Sequence, residues 1–163
     1  MMKVPDVLAH DLDIVFCGTA AGEASARRRA YYAGPGNAFW PTLYTVGLTP
    51  RQLFPHEYEQ LLRWRMGLTD LAKEIAGNDN VLADSHIDHD HLRALLRVYR
   101  PRILAFTSKR AAHVFVGRRT DYGLLPEKEE NTILFVLPSP SGVARRYWRL
   151  EYWQELARLR GQT

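Results

Sequence analysis

The sequence predicts an α/β fold in which helices cover both faces of a short, mainly parallel sheet. Two observations lead to this class. First, three apolar runs read as strands: residues 13–17, 103–107 and 132–137. Strands that are apolar throughout, rather than alternating, are typical of parallel sheets buried on both sides. Second, segments with apolar residues at helical spacing separate these runs, as the βα alternation of this class requires.

The first half of the chain contains one predicted strand and two predicted helices. The strand at residues 13–17 ends at Gly18, where a long loop begins. A helix is predicted over residues 37–46, with Asn37 as its N-cap and Gly47 after its last turn. A second helix is predicted over residues 56–65, and its buried side is expected to carry Leu61, Leu62 and Trp64.

The second half of the chain repeats the alternation. Asp88 is expected to cap a helix over residues 89–100, which Pro101 ends. A short helix is predicted over residues 109–116, and a last helix over residues 145–160. Ligands of parallel sheets bind beyond the carboxyl ends of the strands, so the site is expected in the loops at residues 18–35, 107–110 and 138–146. The predicted buried residues of the two longer helices are Leu92, Leu95, Leu96, Tyr99, Leu150, Trp153, Leu156 and Leu159.

Length and composition narrow the class of protein. The 163 residues suit one domain spanning residues 1–163. No apolar run reaches the roughly 18 residues of a membrane helix, and the N-terminal residues lack an apolar signal core, so the expected location is the cytoplasm. Cys17 is the only cysteine, which excludes intrachain disulfides and four-cysteine zinc or iron–sulfur sites. Its apolar neighbours predict a small core residue.

The charge balance is compatible with a nucleic-acid partner. The formal net charge is +4, and 18 arginines stand against 4 lysines. Arginine is the better phosphate ligand, although a genome rich in G and C produces the same bias. The run at residues 27–29 could grip DNA or be a solvated loop. Metal binding is not expected from His86, His89 and His91, because His91 would point away from the other two on a helix.

Two motifs resemble those of a known enzyme family. Residues 15–22 (VFCGTAAG) and 31–40 (YYAGPGNAFW) resemble the first active-site motif of the mismatch-specific uracil/thymine DNA glycosylases. The hypoxanthine-DNA glycosylase branch shares the NAFW helix start. Residues 136–145 (VLPSPSGVAR) look like the second motif, and GLTDL at 67–71 and KRA at 109–111 match shorter stretches between them. The resemblance to this uracil-DNA glycosylase superfamily keeps order and spacing over nearly the whole chain.

The resemblance implies a three-layer α/β/α sandwich around a short, mainly parallel sheet. It also implies an enzyme that flips a damaged base out of DNA and hydrolyses its N-glycosidic bond through an oxocarbenium-like state. No metal or organic cofactor is needed for this reaction, and we expect a monomer. Uracil is the expected base, with hypoxanthine or xanthine as the alternative. A second alternative is a DNA-binding member of the superfamily without catalytic activity.

The resemblance also implies roles for individual residues. Tyr32 lies where the family places a ring against the flipped base, and Val143 lies at the position of the wedge that fills the gap in the duplex. The residues expected around the base are Gly18, Thr19, Ala20, Gly22, Tyr32, Phe39 and Ser139. Those expected at the DNA backbone or the orphan base are Lys109, Arg110, Pro140, Ser141, Gly142, Val143, Arg145 and Arg146.

The residue that positions the attacking water is missing from both motifs. The family has Asn at the third position of the first motif, where this chain has Ala20, and the second motif opens with Ser139 instead of Asn. Three other residues are candidates for the catalytic role. Asn37 could hold water or act as a helix cap, Asp70 could be a catalytic carboxylate or a helix N-cap, and Glu23 could supply a base.

Overall fold

A computed structural model describes residues 4–19, 30–71 and 89–162. Its centre is a five-stranded sheet with the order β2-β1-β3-β5-β4. The strands β1, β2, β3 and β5 are parallel, and β4 pairs antiparallel with β5. The strands are β1 Ile14–Gly18, β2 Met66–Asp70, β3 Ile103–Phe106, β4 Gly123–Glu129 and β5 Thr132–Val136.

Helices cover both faces of this sheet, which confirms the predicted α/β class. Along β1, Ile14 and Phe16 join one buried cluster, and Val15 and Cys17 join the other. The first cluster is closed by α1, α4 and a 3₁₀ helix, and the second by α2 and α3. The helices are α1 Phe39–Thr45, α2 His89–Tyr99, α3 Lys109–Val116 and α4 Leu150–Arg160, with 3₁₀ helices at Pro55–Trp64 and Gly142–Tyr147.

Two of the predicted helices differ from the observed ones. The segment after Phe54 is a 3₁₀ helix with Pro55 in its first turn, and Leu62 is exposed while Tyr58 and Leu61 are buried. The predicted helix over residues 145–160 is two elements, because the backbone is extended at Trp148 and Arg149. Leu62 therefore does not belong to the core, and the 3₁₀ helix Gly142–Tyr147, called the motif-2 helix below, stands apart from α4.

The sequence did not predict β2 and β4. Gly67 in β2 is required by packing, since a Cβ there would lie 2.3 Å from the carbonyl oxygen of Val7. Val7 pairs with Leu68 through two backbone hydrogen bonds of 2.9 Å and covers this edge of the sheet. The opposite edge strand, β4, contains Pro126, which an edge strand tolerates.

Within the described ranges, no helix combines the length and the apolar character needed to cross a bilayer.

Candidate active site at the carboxyl edge of the sheet

Three polar side chains converge on Gly18, the last residue of β1. A Cβ at Gly18 would lie 3.1 Å from Asp70 Oδ1, 3.4 Å from Thr107 Oγ1 and 3.7 Å from the Tyr32 hydroxyl. The Tyr32 hydroxyl and Thr107 Oγ1 are 3.0 Å apart and share a hydrogen bond. The absence of a side chain at Gly18 therefore leaves room beside a carboxylate and two hydroxyls, which we call the polar cluster.

The sheet ladder fixes the position of this cluster. Gly18 is in register with Asp70, and the Leu71 N–H donates to the Gly18 carbonyl at 2.9 Å. On the other side, the Thr107 N–H donates to the Cys17 carbonyl at 3.0 Å. Asp70 and Thr107 are both buried, and Thr107 Oγ1 donates to the Cys17 carbonyl at 3.4 Å.

The structure places Asp70 at the end of β2, and Leu71 after it is not helical. Residues 72–88 lie outside the described residues, so the helix N-cap interpretation of Asp70 stays a prediction. The parallel ladder carries the carboxylate to the edge of the sheet, where ligands of parallel sheets bind.

Tyr32 packs on a buried aromatic cluster. Its ring stacks on Phe39, with centroids 3.9 Å apart and an interplanar angle of 17°. Phe39 is fully buried and contacts Phe16 and Trp153 edge-on. Tyr32 also has a left-handed backbone, with φ of 53°, which is uncommon for a residue with a bulky side chain. Phe39 thus supports Tyr32 from below, and a strained backbone presents the half-buried Tyr32 ring.

Its neighbour Tyr31 belongs to the core. The Tyr31 ring is buried, and its carbonyl accepts a hydrogen bond from Trp40 Nε1 at 2.9 Å. Burial raises the pKa of the Tyr31 hydroxyl, and the nearby carboxylates of Asp70 and Asp6 raise it further. Tyr31 therefore stays protonated and acts as a packing residue. Asp6 also accepts a hydrogen bond from Thr69 Oγ1 at 2.9 Å, which ties the N-terminal segment to β2.

Asn37 lies at the start of α1. Its Oδ1 accepts a hydrogen bond from the Phe39 N–H at 2.9 Å, as a residue that caps a helix does. The helix is assigned from Phe39, and Ala38 is the formal cap without a side-chain bond. The capping role predicted for Asn37 is thus present, and the bond also fixes the backbone that carries Phe39 beneath Tyr32.

The two sequence motifs meet in space. The Ala38 N–H donates to the Pro140 carbonyl at 2.8 Å. A Cβ at Gly36 would lie 3.1 Å from Arg145 Nη2, and one at Gly142 would lie 3.2 Å from the Pro35 carbonyl oxygen. Gly36 has φ of +74°, which favours glycine, and a side chain at Gly142 would be in tight contact with the backbone of Pro35. The structure therefore joins the residues after the first motif to the start of the motif-2 helix.

The motif-2 helix presents an aliphatic side chain and two arginines at the surface. Ser141 accepts a hydrogen bond from the Val143 N–H at 3.4 Å, and Ser139 accepts one from the Ser141 N–H at 3.2 Å. None of the residues Gly142–Tyr147 is buried, and Val143 is 87% exposed. Arg145 and Arg146 are exposed on the same short element. An exposed aliphatic residue between hydroxyls and arginines has the character expected of a wedge.

The third loop contributes the start of α3. Ser108 caps this helix by accepting a hydrogen bond from the Ala111 N–H. Lys109 follows, and its Nζ lies 4.4 Å from the centroid of the Tyr122 ring. Lys109 and Arg110 are both half-buried at the carboxyl edge. Both residues lie in the predicted loop. The Lys109 ammonium group makes a cation–π contact with the Tyr122 ring.

Several predicted residues lie outside the described residues. These are Ala20, Gly22, Glu23, His86, Asp88 and the arginine run 27–29. Thr19 is described and is buried directly after β1. Sequence reasoning missed Thr107, although a threonine at the carboxyl end of a buried strand is a detectable signal.

The described ranges contain no group of three His, Cys, Asp or Glu side chains close enough to hold a metal ion.

One edge of this mainly parallel sheet carries an aromatic surface, a polar cluster and an exposed basic helix. These features define the class as a ligand-binding α/β protein. Residues 5–157 match the model of the Uracil DNA glycosylase superfamily. The chain belongs to this superfamily, whose members act on DNA. Its fold is similar to the solution NMR structure of a protein from Methanosarcina acetivorans, provisionally named a uracil DNA glycosylase. The TM-score is 0.68 with 22% sequence identity, over 99% of this chain and 98% of the other.

Proposed function

We propose that this protein is a base-excision repair glycosylase that hydrolyses the N-glycosidic bond of a deaminated base, with uracil as its best substrate. The observation that carries the proposal is the position of the Tyr32 ring beside the polar cluster at Gly18. A flipped base is a flat ring with polar edges, so it fits an aromatic face next to fixed hydrogen-bonding groups. The exposed motif-2 helix supplies the contacts that a duplex would need.

We assign the role of the missing Asn of the first motif to Asp70. When the bond between the base and C1′ breaks, positive charge develops on the sugar and negative charge on the base. A carboxylate stabilises the positive sugar and can accept a proton from the attacking water, whose oxygen bonds to C1′. The departing base is protonated to complete the hydrolysis. Asn37 remains an alternative holder of the water through its amide group, and Glu23 remains another candidate base.

Outside the pocket, we assign the remaining motif residues to DNA. In this proposal Val143 enters the space left by the flipped nucleotide, and the hydroxyls of Ser139 and Ser141 bind phosphates together with Arg145 and Arg146. Lys109 and Arg110 extend this basic edge. A monomer acting in the cytoplasm is consistent with these roles.

The test is a labelled oligonucleotide containing uracil, hypoxanthine or xanthine, followed by alkali to cleave abasic sites. We expect strand cleavage that is fastest with uracil. Retarded migration without cleavage for all three bases would instead support a DNA-binding protein without catalytic activity. The presence of Ala20 where the family has Asn favours this alternative.

Three substitutions separate Asp70 from Asn37. We expect Asp70→Asn to fold and to lose at least about 10²-fold in rate, as removal of a charged transition-state contact does. Asn37→Ala is expected to lose its helix cap, about 0.5–2 kcal/mol of stability, and Asn37→Asp to keep it. A folded Asn37→Ala with a 10²-fold lower rate, next to an active Asp70→Asn, would transfer the catalytic role to Asn37.

A further inference from the structure

We propose that a cluster of tyrosines and cations beside the motif-2 helix binds an unpaired nucleotide of DNA by stacking. The cluster, called the tyrosine platform below, has members in α3, in the motif-2 helix and in α4. Two further members lie directly before β4 and directly before α4. Its members are Tyr122, Tyr147, Tyr152, Lys109, Arg146 and Arg149.

Ring and cation contacts define the platform. The rings of Tyr122 and Tyr152 are 5.3 Å apart and tilted by 47°. Lys109 Nζ lies 4.4 Å from the centroid of Tyr122, and Arg146 Cζ lies 5.4 Å from that of Tyr147. Burial raises the pKa of the Tyr122 hydroxyl, the nearby Arg149 guanidinium lowers it, and Tyr147 and Tyr152 raise it further. Tyr147 and Arg149 therefore lie near the pair of rings formed by Tyr122 and Tyr152.

The platform is open to a partner. Tyr147 is 58% exposed, and it shares the motif-2 helix with the exposed Val143. Gly123 has φ of +97°, which favours glycine, and a Cβ there would make an ordinary contact with the Tyr152 ring at 3.6 Å. An open groove of about 630 Å³ begins at Tyr122 and follows β4 to the ion pair of Arg118 and Glu127.

The chemistry fits nucleotides. Aromatic faces stack with any base, and interspersed cations neutralise phosphates, which is how single strands are bound without sequence preference. Asp121 and Glu155 lie at the margin of the platform, while Glu127 is paired with Arg118. Bases inside a duplex cannot reach these ring faces, so the fit is to an unpaired nucleotide. The inference takes DNA as the partner from the proposed function. It does not depend on excision, because stacking of a nucleotide does not require the base to be removed.

The test uses an undamaged single-stranded oligonucleotide that carries 2-aminopurine, and a blunt duplex of the same sequence. Fluorescence anisotropy measures affinity, and quenching of 2-aminopurine reports stacking. We expect Tyr147→Ala to weaken single-strand binding about 5- to 150-fold and to remove quenching, because one stacked base is lost. Tyr147→Phe is expected to bind within about twofold of the wild type, since it keeps the ring face.

Tyr44→Ala is the matched control, since Tyr44 is 50% exposed on α1 and lies outside the platform. An unchanged single-strand affinity of Tyr147→Ala would overturn the proposal. An equal loss on the single strand and the duplex would also overturn it, because it would indicate a backbone contact. Neither readout depends on excision. A protein that stacks the strand but cleaves no base would refute the glycosylase and leave the platform standing.

Discussion

At the scale of single residues, Gly18 determines the space at the polar cluster. Because Gly18 has no side chain, there is space beside Asp70 Oδ1 and Thr107 Oγ1 that a substrate atom can occupy. We expect Gly18→Ala to lower excision about 10- to 100-fold, because small displacements of reacting groups are that costly. Excision kinetics and thermal melting measure the effect.

Gly161→Ala is the control for this substitution. The new Cβ would make only an ordinary contact, 3.5 Å from the Arg158 carbonyl oxygen, and the backbone φ of −73° suits alanine. A Gly18→Ala protein as active as Gly161→Ala would show that no substrate atom needs this space.

Tyr32 makes two contacts, one through its ring and one through its hydroxyl, which the sequence did not distinguish. Its ring stacks on Phe39, and its hydroxyl bonds to Thr107. We expect Tyr32→Phe to lose about 1 kcal/mol of stability with the hydrogen bond and to retain most activity. Tyr32→Ala also removes the ring face and is expected to lower the excision rate far more. Denaturant unfolding and excision kinetics give the two quantities, and equal rates for the two variants would contradict a stacking role.

The motifs placed most of these residues correctly at the carboxyl edge, because the end of a parallel strand is visible in the sequence as an apolar run followed by Gly or Thr. Contacts between distant segments are not visible in that way. The hydrogen bond between Tyr32 and Thr107 and the support of Tyr32 by Phe39 depend on how α1 packs on the sheet, and spacing along the chain does not specify that.

At the scale of elements, Glu57 caps the start of the 3₁₀ helix Pro55–Trp64. Glu57 Oε1 accepts a hydrogen bond from the Phe54 N–H at 3.0 Å, and Arg51 donates to both carboxylate oxygens. The Arg51 hydrogen bonds lower the pKa of Glu57 to about 2, with help from Phe54. A carboxyl whose folded pKa is depressed stabilises the fold above its unfolded pKa of about 4.3 and loses this contribution as the pH falls towards 2.

Glu57→Gln tests this linkage. We expect the variant to melt at a lower temperature than the wild type at pH 7, and the difference to shrink between pH 4.5 and pH 2. Calorimetry or circular dichroism at several pH values measures it. Glu59→Gln is the control, since Glu59 is exposed on the same helix. A difference that persists unchanged at pH 2 would contradict the contribution of the ionised carboxyl.

The strands missed by the sequence have a common cause. Apolar runs predicted the three central strands, because burial on both faces selects such residues. The edge strands β2 and β4 carry Gly67 and Pro126, which local propensity counts against strands. Gly67 is explained by the passage of Val7 over β2, and Pro126 by the open edge, so tertiary contacts override propensity in both cases.

At the scale of the whole molecule, the topology collects the motifs at one edge and separates other charges from them. Helix α2 runs directly into β3, so its last turn with Arg97 lies at the amino edge, opposite the site. Lys109, Arg110, Arg145 and Arg146 lie at the carboxyl edge. Because the net charge is only +4, this arrangement matters more for DNA binding than the total charge.

We expect binding to duplex DNA to weaken steeply with salt. Four phosphate contacts would give a slope of about −4 in log affinity against log salt, or roughly 10²-fold between 50 and 200 mM. Arg145→Gln is expected to make the slope shallower by about 1, because one fewer counterion is released. Arg97→Gln removes the same charge at the opposite edge and should leave the slope unchanged. Anisotropy titrations at four salt concentrations measure both variants, and equal slopes for the two would refute a DNA interface at the carboxyl edge.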